Sequence, residues 1–198
     1  MTCICVFCGS SEGRQPVYRQ AAWAMGEALV RRGLGLVYGG GRVGLMGAVA
    51  DAVLAAGGEV VGVIPDFLKA KEIAHRGLTD LRVVGSMHER KALMAELASG
   101  FVALPGGYGT LEEFGEILTW AQLGLHGNPI GLLNVEGYYD GLLGFFDHAV
   151  TEEFLSRRLR SLVLEADDPA RLLDLMAAYQ PQDVDKWRTT PPGDMSAT

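Results

Sequence analysis

Residues 101–113 read FVALPGGYGTLEE. The apolar run Phe101–Leu104 leads into Pro105 and a glycine-rich turn, and a stretch of helical period follows. The order is strand, tight turn, helix. Residues 35–47, GLVYGGGRVGLMG, repeat it: Gly35–Tyr38, then Gly39, Gly40 and Gly41, then a helix beginning around Gly44. Neither apolar run alternates in polarity, so each suits a strand covered on both faces. Two such units specify a parallel sheet. Their glycine turns fall at the C-terminal ends of the strands, where open α/β sheets bind ligands.

The rest of the chain continues the pattern. Strands are expected at Cys3–Phe7, Leu34–Tyr38, Val60–Ile64, Phe101–Leu104, Pro129–Asn134 and Leu162–Leu164. Helices are expected near 16–31, 45–56, 88–98, 111–124, 138–149 and 168–178. The expected fold is α/β: a Rossmann-like, doubly wound, mostly parallel sheet with helices on both faces. With 198 residues, 48% hydrophobic and 21% charged, the chain fits one ordinary core and is not disordered. The domain is placed at residues 1–180. Residues 181–198, with little apolar content beyond Trp187, are read as a loose tail.

Charge narrows the function. Seventeen basic side chains against 24 acidic ones give a net charge of −7. Partners are therefore not expected among nucleic-acid polymers or membrane surfaces, which need a basic footprint. A small anion needs only a local nest of donors. No apolar run reaches the ~18 residues of a membrane helix, and no basic segment precedes an apolar one at the N-terminus, so a cytoplasmic location is expected. Cys3, Cys5 and Cys8 crowd into one run and make no disulfide framework. Cys5 and Cys8 match C-x-x-C, but in a strand rather than at a helix start, where thiol pKa values are lowered; they read as buried strand thiols. His75, His126 and His148 lack metal-ligand spacing, so no metal is expected, and His88 reads as a polar helix-start residue.

Glycines at a helix start expose N–H groups to an anion, so the two clusters point to a phosphorylated ligand. Gly39, Gly41 and Gly44 also satisfy G-x-G-x-x-G. That cluster follows the second strand, and Glu59 opens the next strand instead of closing it, so a tight turn competes with a dinucleotide fingerprint. Thr110 is expected to cap the later helix, making Thr110-x-x-Glu113 a capping box. The box leaves the preceding glycines unexplained. One strand earlier, Ser86–Lys91 opens a helix with Arg90 and Lys91 where the helix dipole opposes cations by ~0.3–1 kcal/mol each. A local rule broken in that way points to a site.

MHERKALM at 87–94 and PGGYGTLEE at 105–113, with VFCGSS at 6–11, VYGGGRVGLMG at 37–47 and LTWAQLG at 118–124, resemble the Lonely guy (LOG) family of cytokinin-activating nucleotide phosphoribohydrolases. The likeness runs from Cys5 to Tyr179. Members have often been labelled lysine decarboxylases, but Lys69, Lys71, Lys91 and Lys186 sit in no recognisable cofactor-lysine context. The resemblance implies hydrolysis of a nucleoside 5′-monophosphate (a cytokinin riboside 5′-monophosphate or AMP) to free base and ribose 5-phosphate. It implies no cofactor, no metal and a homodimer.

By motif position the resemblance also assigns residues. Arg90 and Glu113 are catalytic, with Glu112 the ribose-hydroxyl acceptor and the second candidate carboxylate. Lys91, Gly106, Gly107, Tyr108, Gly109 and Thr110, with Leu111 beside them, hold phosphate and sugar. Glu72 and Thr119 match further substrate contacts, and Gly9, Ser10, Gly40, Gly41 and Met46 are candidates for additional ones. The chemistry fits these types: cleaving an N-glycosidic bond builds positive charge on the sugar, which a carboxylate stabilises. Arg90, always charged, suits a base-facing donor. Trp120, Ala121 and Gly124 either pack on the sheet or join a dimer interface. A non-catalytic nucleotide-binding or carrier protein on the same fold is the alternative; it needs the glycine turns but not Arg90 and the glutamates. The preferred base stays open.

Overall fold

Side chains alternate across a strand, and β1 (Cys3–Phe7) uses both of its faces. Ile4 and Val6 enter one hydrophobic layer, Cys5 and Phe7 the other. The computed structural model describes residues 2–69 and 74–181. Glu72, and the tail beyond Pro181, lie outside the described residues. The remaining strands are β2 (Gly35–Tyr38), β3 (Val60–Pro65), β4 (Asp80–Val84), β5 (Phe101–Ala103), β6 (Ile130–Leu133) and β7 (Val163–Ala166). They pair in parallel in the order β4-β3-β2-β1-β5-β6-β7. The chain winds outward from β1 to β4, returns to β5, and winds the other way. The reversal leaves a crevice between the C-terminal ends of β1 and β5.

Helices cover both faces, as the expected doubly wound fold requires. Apolar residues of α1 (Pro16–Arg31), α2 (Gly44–Ala55) and α7 (Pro169–Ala178) pack on one side. Those of α3 (Met87–Leu97), α4 (Tyr108–Gln122) and α5 (Asp140–Thr151) pack on the other. The single turn α6 (Arg157–Arg160) leads into β7. Pro16 and Pro169 occupy first-turn positions where a missing N–H costs nothing. Cys5 and Cys8 are buried and unbridged, and burial pushes both thiols far up, in keeping with inert strand thiols.

The expected elements are present, with three differences. β4 was not expected, because Asp80 and Arg82 interrupt its apolar pattern; they pair with each other at 2.9 Å on this edge strand. Charges on an edge discourage further strand pairing. The short α6 was likewise not expected. Thirdly, α4 begins at Tyr108 with Gly107 as its N-cap, so Thr110 is not the cap and the Thr110–Glu113 capping box does not form. Thr110 is buried beneath the turn, so close to Gly106 that a Cβ there would collide with its hydroxyl. The same spacing serves at α3, where the N-cap Ser86 Oγ accepts from Glu89 N at 3.2 Å and the Glu89 carboxylate accepts from the N–H of Gly85, one residue before the cap, at 2.8 Å.

His126 ties α4 to the next strand. Its Nε2 lies 3.0 Å from Ile117 O, its Nδ1 accepts from Asn128 N at 3.2 Å, and its ring meets Phe101. An acceptor Nδ1 leaves no room for a second proton, and burial lowers the imidazole pKa. The unfolded chain therefore takes up the proton first. The stability is complete above about pH 6.5 and is lost as pH falls through the lower folded-state value. His126→Gln, which keeps a donor toward Ile117, is expected to flatten the fall in urea midpoint between about pH 6.5 and pH 5.

Candidate active site

The crevice between β1 and β5 holds a cavity of about 290 Å³. Its floor is Val6–Ser10, leaving β1. Gly39 closes the side beyond β2, Met46, Leu68 and Met87 add apolar wall, and Gly107–Thr110 form the rim at the start of α4. Arg90, Glu112 and Glu113 supply the charge.

Arg90 reaches this cavity because α3 is started firmly by Ser86 and Glu89. Its guanidinium lies against the bare Cα of Gly39, where a Cβ would collide with Nη2. Nη1 sits 3.8 Å from Met87 Sδ, and Nη2 is 4.0 Å from Glu113 Oε1. The Arg90 and Glu113 side chains are only 6% and 13% exposed. A pair so removed from water keeps much of its field, which is what a charge-stabilising site needs. Burial first, and then Glu113, hold the neighbouring Cys8 as a neutral thiol.

The start of α4 is the second element. Gly107 is its N-cap, with no side chain capping it and no acidic residue in its first turn. The N–H groups of a first helical turn lack intrahelical partners, and Gly107–Thr110 line the cavity, so this end is arranged for an anion. The glycine cluster ahead of α2 is not a second cradle of that kind. Leu45 N donates to Gly9 O at 3.0 Å, and Gly44, at φ 61°, packs against the Ser10 backbone. Gly40 and Gly41 face away from the cavity: Gly40 O accepts from His75 N at 3.0 Å and Gly41 bridges Ala74. His75 is buried, accepts from Gly77 N at 3.1 Å and lies 2.9 Å from Asp51. These contacts are those of a tight turn with close packing between helix and sheet.

Of the expected contacts, Gly9, Ser10, Met46, Gly107, Tyr108, Gly109, Thr110, Arg90, Glu112 and Glu113 meet at the cavity. Gly106 lies behind the rim, lining a smaller cavity of about 220 Å³ with Tyr18 and Tyr138. Lys91 is not at the cavity. Its ammonium bonds Glu112 at 2.6 Å and Glu116 at 3.0 Å, bracing α3 against α4, and those bonds raise its pKa. Leu111 is exposed outside the lining. Thr119 bonds Gly115 O within α4 and belongs to a separate apolar cavity with Phe145 and Phe154. Sequence reasoning missed Val6, Phe7, Cys8, Gly39, Leu68 and Met87 as lining residues. Only for Gly39 was there a signal, the glycine itself ahead of a charged helix.

The crevice of this doubly wound α/β protein brings an uncapped helix start, suited to an anion, together with a largely buried arginine–glutamate pair. The family model described as possible lysine decarboxylase matches residues 46–176. The chain is 52% identical over 179 residues to a probable cytokinin riboside 5′-monophosphate phosphoribohydrolase of Oryza sativa subsp. japonica, spanning 90% of this chain and 72% of that one. It is 51% identical to a cytokinin riboside 5′-monophosphate phosphoribohydrolase of Arabidopsis thaliana, spanning 90% and 82%. The chain belongs to this family, the LOG family. The fold matches a molybdenum cofactor carrier protein of Chlamydomonas reinhardtii at TM-score 0.68 and 21% identity, over 90% of this chain and 99% of that one. Among the described residues no lysine lines the cavity.

Gly39→Ala tests the seat of Arg90. The collision falls on the far end of a flexible side chain, so the fold should tolerate it, with a thermal midpoint within about 3 °C of the parent. Arg90 must move, however, and turnover in the base-release assay that the relatives' names specify should fall on the order of 10²-fold.

Proposed function

We propose that this protein hydrolyses the N-glycosidic bond of a nucleoside 5′-monophosphate, a cytokinin riboside 5′-monophosphate or AMP, releasing the base and ribose 5-phosphate. The observation that carries the reading is the pair of buried Arg90 and largely buried Glu113 at the cavity whose rim is the uncapped start of α4. The phosphate sits on the N–H groups of Gly107–Thr110, and the sugar then extends toward the charged pair. As the bond to the base lengthens, positive charge develops on the ribose ring, and the Glu113 carboxylate stabilises it. The same carboxylate accepts a proton from the water that adds to C1′. Arg90 donates a hydrogen bond to the ring nitrogen that takes the departing electron pair, and the proton taken up by Glu113 then passes to the base, freeing it neutral and restoring the carboxylate. The apolar wall of Met46, Leu68 and Met87 shelters the base.

Glu113 takes the catalytic role ahead of Glu112. Glu112 is half-exposed and committed to Lys91, whereas the Glu113 side chain at the cavity is only 13% exposed. With the capping box absent, Glu113 has no cap to lose. The three unbridged cysteines favour a reducing, cytoplasmic setting.

A homodimer is part of the same reading. Phe145 and Phe154 are exposed beside Leu118 and Thr119 on the α4–α5 side. Thr119 lies about 16 Å along α4 from its start, at 1.5 Å per residue, so it serves a substrate only across an interface between copies. Of the residues expected at such a face, Ala121 is in the core, Trp120 packs against it and Gly124 is exposed just past the end of α4.

In an assay of AMP, N6-isopentenyl-AMP and adenosine, base release from the monophosphates should far exceed that from the nucleoside; equal rates would defeat the reading. Glu113→Gln should lose on the order of 10²–10³ in kcat while still binding ribose 5-phosphate. Its thermal midpoint should fall, because Arg90 loses a buried counter-charge. Phe154→Glu, placing a charge on the apolar face, should sediment as a monomer where the parent sediments as a dimer.

A further inference from the structure

The connection after β6 sends two tyrosine hydroxyls to the turn ahead of α4. Tyr139 Oη donates to Leu104 O at 2.6 Å, and Tyr138 Oη donates to Gly106 O at 2.7 Å. Between and beyond them, Pro105 O accepts from Gly9 N at 3.0 Å and Gly107 O from Leu111 N at 3.1 Å. Every carbonyl from Leu104 to Gly107 is thus held by a donor of the protein. A trans peptide is planar, so its N–H points away from its C=O. Holding Gly106 O therefore aims the N–H of Gly107, a residue of the cavity rim. The Gly106–Gly107 peptide joins two glycines and has the least backbone preference of its own in this turn. The Tyr138 hydroxyl supplies the restraint that the sequence there does not.

Tyr138 is itself held in place. Its ring meets Tyr18 edge-on at 5.6 Å and Tyr139 at 4.9 Å. The turn presenting it passes through positive φ at Glu136, 51°, and Gly137, 68°. A non-glycine residue stays in that region when its surroundings over-determine it. Here Asn134 does so: Oδ1 accepts from Tyr139 N at 2.7 Å, and Nδ2 donates to Asp140 at 2.8 Å.

We propose that Tyr138 is a positioning residue for phosphate recognition: its hydroxyl locks the Gly106–Gly107 peptide so that the Gly107 N–H donates to the 5′-phosphate. This rests on the phosphoribohydrolase reading for the identity of the ligand. Tyr139 is the internal control, because the peptide it fixes ends at Pro105, which has no N–H to aim.

Tyr138→Phe and Tyr139→Phe are compared with the parent in base release from AMP and adenosine, and in ribose 5-phosphate binding by calorimetry. Tyr138→Phe should raise KM for AMP and Kd for ribose 5-phosphate about tenfold, equivalent to ~1.4 kcal/mol, leaving kcat and the adenosine rate near parental values. Tyr139→Phe should lower the thermal midpoint, since it orphans a buried carbonyl, without weakening ribose 5-phosphate binding. Parental KM and Kd in Tyr138→Phe overturn the lock, and so does equal weakening in both variants. So does a parent that binds no ribose 5-phosphate. If the parent binds ribose 5-phosphate but releases no base, and Tyr138→Phe alone binds it more weakly, the lock stands and the phosphoribohydrolase reading falls. Should Tyr139→Phe fail to fold, the comparison of Tyr138→Phe with the parent decides.

Discussion

The guanidinium of Arg90 is taken out of water at the crevice of the sheet, and a charge so placed must be met by another charge or by hydrogen bonds. Much of the local architecture answers that requirement. Gly39 has no side chain because Arg90 lies where it would be. Glu113 is carried from the opposite wall by α4 to within 4.0 Å. Lys91, one residue on, turns outward to Glu112 and Glu116 and fixes α3 against α4. The cations at the start of α3 run against the helix dipole, and Ser86 and Glu89 offset that by capping the helix.

The two glycine clusters show how similar local sequences reach different ends. Ahead of α2, the glycines admit neighbouring backbone: Gly9 O takes the Leu45 N–H, and Ser10 crowds Gly44. That helix start is spent inside the protein. Ahead of α4, Gly107 leaves the first turn without a side-chain cap, and each carbonyl from Leu104 to Gly107 already accepts from a donor of the protein. The anion preference of a helix start is then left for a ligand. One closed start and one open start thus lie near each other at the crevice.

Fold does not decide chemistry here, since a molybdenum cofactor carrier protein shares it. The site distinguishes the readings. A nucleotide carrier needs the open helix start, but has no use for a carboxylate held beside an arginine in a water-poor cavity. The same geometry leaves the thiols of Cys5 and Cys8 protonated, since burial and the Glu113 charge act in the same direction. The C-x-x-C pattern therefore serves packing under the site.

Continuous apolar runs determined most of the sheet, because a strand buried on both faces has no polar residue to interrupt it. They also explain why β4 escaped, as an edge strand whose Asp80 and Arg82 face water. Motif order carried the family and the core of the site, from Gly9 and Ser10 to Arg90, Glu112 and Glu113. What spacing cannot carry is the partner of each side chain. Thr110-x-x-Glu113 and Ser86-x-x-Glu89 both have the capping spacing, yet only the second caps a helix, because Thr110 is buried against Gly106. Nor does spacing show that α4 brings Glu112 and Glu116 to Lys91. The role of Gly39, the closed start of α2 and the tyrosines at Leu104 and Gly106 all join segments distant along the chain. Local sequence sets backbone preference and which faces are apolar, but only the packed sheet decides which distant atoms come within hydrogen-bonding distance.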